Sequence, residues 1–167
     1  IAKTADVVIE NYKAGSLEKY GLDYESLNQL NPNLVYCSIT GFGQTGPRAE
    51  EQGYDFIIQG MSGLMSITGE KDESPGGGAQ KVGVAVVDIQ TGLYATVAIQ
   101  AALLARQHTG CGQYIDLSLL DVQVATLANQ GMNYLTSGVA PKRMGNNHPN
   151  IVPYQTFKAK DKSLLSP

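Results

Sequence analysis

The apolar positions of this chain change rhythm several times, and each change marks an element. "DVVIEN" (6–11) barely alternates and is β-branched, which predicts a strand buried on both faces, the kind found in parallel sheets. "GSLEKYG" reads as a short helical turn closed by Gly21. "DYESLNQLNP" predicts a helix with Asp23 as its cap, Leu27 and Leu30 facing inward, and Pro32 ending it. "LVYCSITGFG" (34–43) is a second strand running into a glycine-rich turn. Strand, helix and strand at this spacing form a βαβ unit. The expected class is α/β, a Rossmann-like parallel sheet with covering helices.

Beyond a polar linker, "QTGPRAEEQG" (44–53), the helical period returns in "YDFIIQGMSGLMSITG" (54–69), with Phe56, Ile57, Gly60, Met61 and Leu64 as its apolar face. "EKDESPGGGAQ" (70–80) has the composition of a mobile surface loop. A strand-like run, Val82 to Val87, then leads into "IQTGLYATVAIQAALLA", which predicts a long buried helix over 89–107. "QYIDLSLLD" (113–121) is a short strand entering another capped helix, 118–136. The stretch 137–157 is a long connection with three prolines, and such connections inside domains carry function or move. "YQTFKAKD" is strand-like.

Composition narrows the picture. The chain has 167 residues, 43% hydrophobic and 16% charged, enough apolar surface for a core. Net charge is −3 and no basic cluster exceeds two residues, so nucleic acid is excluded as an expected partner. Cys37 and Cys111 stand apart and outside any ligand pattern, pointing to free thiols in a reducing compartment: cytoplasmic, or mitochondrial in a eukaryote. Residues 89–105 hold Gln90, Thr91, Tyr94, Thr96 and Gln100; a core helix is expected there and no membrane span. The start has no signal-peptide layout, and both ends read as cuts through a longer protein.

The candidate chemistry centres on Asp88, a lone carboxylate where the strand-like run becomes a helix. As an N-cap it would accept the amide hydrogen of Gln90 or Thr91. As a nucleophile or acid–base group it would be aimed by the same terminus, whose dipole keeps it ionised. The two readings are compatible, and the residues alone leave both open. "PGGGAQ" (75–80) lacks the Lys-Ser/Thr ending of a phosphate loop and reads as a flexible hairpin. "GFGQTG" (41–46) has dinucleotide-loop spacing, but Pro47 and a charged linker follow it instead of an apolar helix. His108 ends a helix, and His148 in "GNNHPN" reads as a loop residue making a turn hydrogen bond. No metal-ligand spacing is present.

Taken together, several ordered motifs resemble the class III CoA-transferases, the CaiB/BaiF and formyl-CoA transferase group. They are "ADVVIENYKAGSLEKYGLDYESLNQLNPNLVYCSITGFGQTGP", "GYDFIIQGMSGLMSITG", "VVDIQTGLYA", "TGCGQYIDLSLLD" and "GNNHPNIVPYQTF". The resemblance covers nearly the whole chain; only "KSLLSP" departs from it. It is strongest to the succinyl-CoA:glutarate-type dicarboxylate transferases.

The resemblance implies a central portion of an interlocked-dimer fold, residues 1–167 forming a partial domain with segments missing at both ends. It makes Asp88 the nucleophile that forms an anhydride with the acyl group of an acyl-CoA and then a thioester with CoA. It places Asn11, Tyr12, Lys13 and Lys19 along CoA, and Tyr54, Gly145, Asn146, Asn147 and His148 near the substrate. Lys13 and Ala14 replace the usual Arg and Pro, weakening a phosphate fork and a stiff backbone. "GNNHPN" stands where formyl-CoA transferase has a glycine-rich lid, which favours larger acids. The implied partners are an acyl-CoA, a small carboxylic acid and a second copy of the chain. CoA is a travelling substrate, and no permanently bound cofactor is expected. The rival reading is a 2-methylacyl-CoA racemase, whose aspartate works with a histidine in a GHD motif. Here the motif is "GYD", and the phenol of Tyr54 is a poorer proton shuttle than an imidazole. A third reading is a non-catalytic fragment.

Overall fold

A computed structural model describes residues 1–161 and, as backbone, 163–165. The divergent ending "KSLLSP" therefore lies outside the described residues, except for the backbone of 163–165. Three strands form one parallel sheet in the order β1 (Val7–Glu10), β2 (Val35–Thr40), β3 (Tyr114–Ser118). Val7 pairs with Val35, and Tyr36 with Tyr114. β2 lies in the middle, and Leu34, Val35, Tyr36, Cys37 and Ser38 are all buried, as an unalternating apolar strand covered on both faces requires.

The first crossover holds a 3₁₀ turn, Glu18–Tyr20, closed by left-handed Gly21, and α1 (Tyr24–Leu30). Asp23 caps α1 by accepting the Ser26 amide at 2.9 Å and its hydroxyl at 2.7 Å, so its carboxyl lies below the usual range. Leu27 packs with Leu34 and Tyr36 on one side of the sheet. Leu30, expected inward, is half exposed, because a helix this short buries only one position per turn against β2.

The second crossover carries α2 (Asp55–Met61), α3 (Leu64–Ile67) and α4 (Val86–Thr109). Ile58 of α2, Val87 of α4 and Leu119 make the core on the other side of the sheet, with Ile39 and Phe42. This corrects three expectations. The strand-like run 82–87 forms no strand: residues 81–85 are irregular and α4 begins at Val86. β-branched composition alone does not make a strand: here the backbone of Val82 is held by Gln59 and the run turns directly into α4. On α2 the buried residues are Ile58 and Gln59, while Phe56, Ile57 and Met61 are exposed. α4 buries Val87, Thr91, Ala95 and Ala102, and leaves Ile89, Leu93, Val97 and Leu104 outside. It is a helix apolar all round with only one side covered. By length and composition it is long and apolar enough to cross a membrane, a test that a core helix also passes. In this fold it packs on α2, α5, β2 and β3.

After β3 come α5 (Leu119–Ala125), capped by Ser118, and α6 (Ala128–Ser137). The single helix expected over 118–136 is thus two: Thr126 and Leu127 interrupt it and Ala128 sits at φ +50°. The segment 138–155 is irregular, and β4 (Thr156–Lys158) pairs antiparallel with β5 (Ser163–Leu165). The 70–80 segment is a series of turns without strand pairing, tied down where Arg143 pairs with Asp72.

Candidate active site

In parallel α/β sheets, ligand crevices open at the carboxyl ends of the strands, where the loops diverge. A cavity of about 460 Å³ opens here at the ends of β1 and β2. Asn11, Tyr12, Lys13 and Ala14 follow β1, and Ile39, Thr40 and Gly41 end β2. Tyr54 comes from the start of α2, and Asp88, Thr91 and Gly92 from the first turns of α4. Gly41 and Gly53 make the approach possible. A Cβ on Gly41 would lie 2.5 Å from the Gly53 Cα, so only glycine lets the loop before Tyr54 close onto β2.

Of the residues singled out in the sequence, Asp88, Asn11, Tyr12, Lys13 and Tyr54 meet in this cavity. Lys19 does not line it; its ammonium lies 4.9 Å from the centre of the Tyr20 ring. Gly145, Asn146, Asn147 and His148 do not line it either. His148 makes the turn hydrogen bonds its loop position suggests: its Nδ1 accepts the Asn150 and Ile151 amides, each at 3.0 Å. "GFGQTG" leads into turns and no helix, and the Gln44 amide donates to Asp116. Among the described residues there is no group of His, Cys, Asp or Glu suited to a metal, and Cys37 and Cys111 are free thiols.

Asp88 does not cap its own helix. Ala85 is the N-cap and has no side-chain oxygen to offer; Asp88 is the third residue of α4. The cap comes from α2. Asp55 Oδ2 accepts the Val87 amide at 2.7 Å and the Asp88 amide at 3.3 Å. Asp55 Oδ1 accepts from Gln59 Nε2 at 2.6 Å, and Gln59 Oε1 accepts the Val82 amide at 2.8 Å. Sequence reasoning missed both residues. The signal was a polar pair four apart on an otherwise apolar helix, which places both on one face.

With its amides taken by Asp55, the helix start does not hold Asp88 in the ionised form as expected from the dipole. Partial burial first, and the Asp55 charge second, push the Asp88 carboxyl up from its ordinary value. Asp88 nonetheless stays exposed. Beside it, Thr91 is 1% exposed and its hydroxyl has no partner among the described residues. Tyr54 is largely exposed on the cavity rim and its hydroxyl meets Gln52 at 3.3 Å.

The model of CoA-transferase family III matches residues 1–166. The chain belongs to that family. It is 62% identical over 165 residues to a succinate–glutarate CoA-transferase of Agrobacterium fabrum, covering 99% of this chain and 40% of that protein. It is 47% identical over 161 residues to a succinyl-CoA:glutarate CoA-transferase of Homo sapiens, covering 96% of this chain and 36% of that one. The crystal structure of a CaiB/BaiF family protein from Brucella suis superposes with a TM-score of 0.86 at 62% identity, over 97% of this chain and 42% of that one. This CoA-transferase family III chain thus spans about two fifths of the length of the relatives it matches. The α/β architecture expected from the sequence is the fold of this family.

Proposed function

We propose that this chain carries the nucleophile-bearing part of a CoA-transferase that moves CoA from a succinyl-CoA-like donor to a small dicarboxylic acid. The observation that carries the reading is the placement of Asp88. Asp88 lines a cavity flanked by the β1 loop and Tyr54, and the amides at the start of its helix are capped by Asp55. The names of the matched relatives support the substrate class.

In this reading Asp88 attacks the thioester carbonyl, the C–S bond breaks, and CoA leaves as thiolate while an acyl–aspartyl anhydride remains. The thiolate attacks the Asp88 carbonyl and expels the donor acid as carboxylate, leaving an aspartyl–CoA thioester. The acceptor carboxylate displaces the thiolate to form a second anhydride. The thiolate then attacks the acceptor's acyl carbon, which yields the new acyl-CoA and frees Asp88. No proton is taken from carbon. That suits Tyr54, which has no imidazole's readiness to shuttle a proton, and it favours transfer over racemisation. Shielding the anhydride from water requires a site less open than one chain provides. The interlocked second copy and the further segments of the family fold would supply the cover, with Asn11, Tyr12 and Lys13 along CoA. Two free thiols fit a reducing compartment such as the cytoplasm or the mitochondrial matrix.

The test is to incubate the whole protein with succinyl-CoA and hydroxylamine and locate the adduct by mass spectrometry. A hydroxamate on Asp88, with transfer to glutarate abolished in Asp88→Ala, is the expected result. Transfer that survives in Asp88→Ala overturns the reading, and α-proton exchange with heavy water would favour the racemase.

A further inference from the structure

The start of α4 has three amides with no partner inside the helix, and each is accounted for. Val86 donates to the Val84 carbonyl at 2.8 Å; Val87 and Asp88 donate to Asp55. A helix normally draws this cap from the residue just before it, and the preferred residues are Ser, Thr, Asp and Asn. Ala85 occupies that place. Asp88 is the acidic residue in the first turn of α4, and without Asp55 its carboxylate would be drawn to these amides.

We propose that Asp55, oriented by Gln59, is a positioning residue for the chemistry at Asp88: it caps α4 from a neighbouring helix and so leaves the Asp88 carboxylate free to face the cavity. The inference rests on the reading of Asp88 as nucleophile. Asp55 does not line the cavity and acts through the backbone of residues 87 and 88.

The direction of the hydrogen bonds shows why a carboxylate is needed. The Val82 amide can only donate, so it must meet the oxygen of Gln59, and the Gln59 amino group must then face Asp55. Asp55 receives donors on both oxygens, from Gln59 on one and from α4 on the other. An asparagine at 55 presents one amino end, which would oppose either the α4 amides or the Gln59 amino group. Gln59 cannot turn over to accommodate it without opposing the Val82 amide. Gln59 is 1% exposed, so water does not repair the mismatch. Moving the charge one link along restores every bond. With Asp55→Asn and Gln59→Glu together, the glutamate accepts from Val82 and from the new amino group, and the asparagine oxygen still caps α4.

The experiment measures steady-state transfer from succinyl-CoA to glutarate, and hydroxamate formation at Asp88, in the whole protein. Asp55→Asn is expected to lower kcat and hydroxamate formation by about 10- to 100-fold, the size of effect that slight misplacement of a reacting group produces, with KM for succinyl-CoA within about 2-fold. The double variant Asp55→Asn/Gln59→Glu is expected to recover kcat to within about 5-fold of the parent, since the positioning bonds are intact. Full activity in Asp55→Asn, or a folded double variant as impaired as the single one, overturns the proposal. If Asp55→Asn does not fold, the double variant decides alone: near-parental kcat supports the proposal, and loss in a folded protein overturns it. Asp88→Ala separates the two claims. Transfer surviving there sinks the nucleophile reading, whereas loss there with full activity in Asp55→Asn sinks only the positioning role.

Discussion

Asp55 accepts the amides at the start of α4 on one oxygen, and in the proposed function this leaves both oxygens of Asp88 for the substrate. The sequence pointed to Asp88 because a charge stands out in an apolar run. It was silent on Asp55, whose role depends on α2 lying beside the start of α4. Their proximity has a measurable consequence. Burial and the Asp55 charge raise the Asp88 carboxyl above its value in the unfolded chain, so the folded state holds that proton more tightly. Below the ordinary carboxylate range the group is neutral in both states and costs nothing. As pH rises through that range and past the raised folded value, ionisation destabilises the fold. Asp88→Asn removes this penalty. Its melting temperature is expected to match the parent near about pH 3 and to exceed it near about pH 7. Equal melting temperatures at both pH values would contradict the shift.

At the scale of elements, β1, β2, β3 and α1 were legible because their signals are local, whereas the equally β-branched run 82–87 formed no strand. "DVVIEN" and "LVYCSIT" are apolar without alternation, and Asp23 carries its own cap partner in Ser26. The faces of α2 and α4 were not legible, since both helices are apolar on more than one side and the neighbour determines which side is covered. The break between α5 and α6 also has no proline or glycine to announce it. The Gly41–Gly53 contact is likewise invisible in sequence, although it sets the loop that delivers Tyr54 to the cavity. Gly41→Ala would drive a methyl group into the Gly53 backbone. It is expected to cost about 1–3 kcal/mol in urea denaturation and to lower transfer activity, because the backbone must move apart. A variant of parental stability would show that the loop yields freely.

For the molecule as a whole, the outstanding feature is apolar surface without cover. Leu93 is 62% and Val97 67% exposed, and both lie on the outer side of α4 with Ile89 and Leu104. In a chain that spans about two fifths of its relatives, exposed apolar surface of this kind is expected to be covered by further polypeptide. The chain on its own is expected to associate with rising concentration in size-exclusion chromatography. Leu93→Glu with Val97→Glu is expected to suppress this while leaving the far-ultraviolet circular dichroism unchanged, because neither side chain contributes to the core. Loss of helical signal would instead mean that α4 is held by that face.

Local chemistry was enough to read the βαβ start and the glycine turns and to single out Asp88 as a charge in an apolar run, because strand patterning, capping and composition act over a few residues; the role proposed for Asp88 came from the family resemblance. Which side of each apolar helix is covered, and which acid caps α4, emerged only on folding. Both depend on residues distant along the chain: Asp55 meets Val87 across 32 positions, and no pattern confined to a short window encodes a contact of that length.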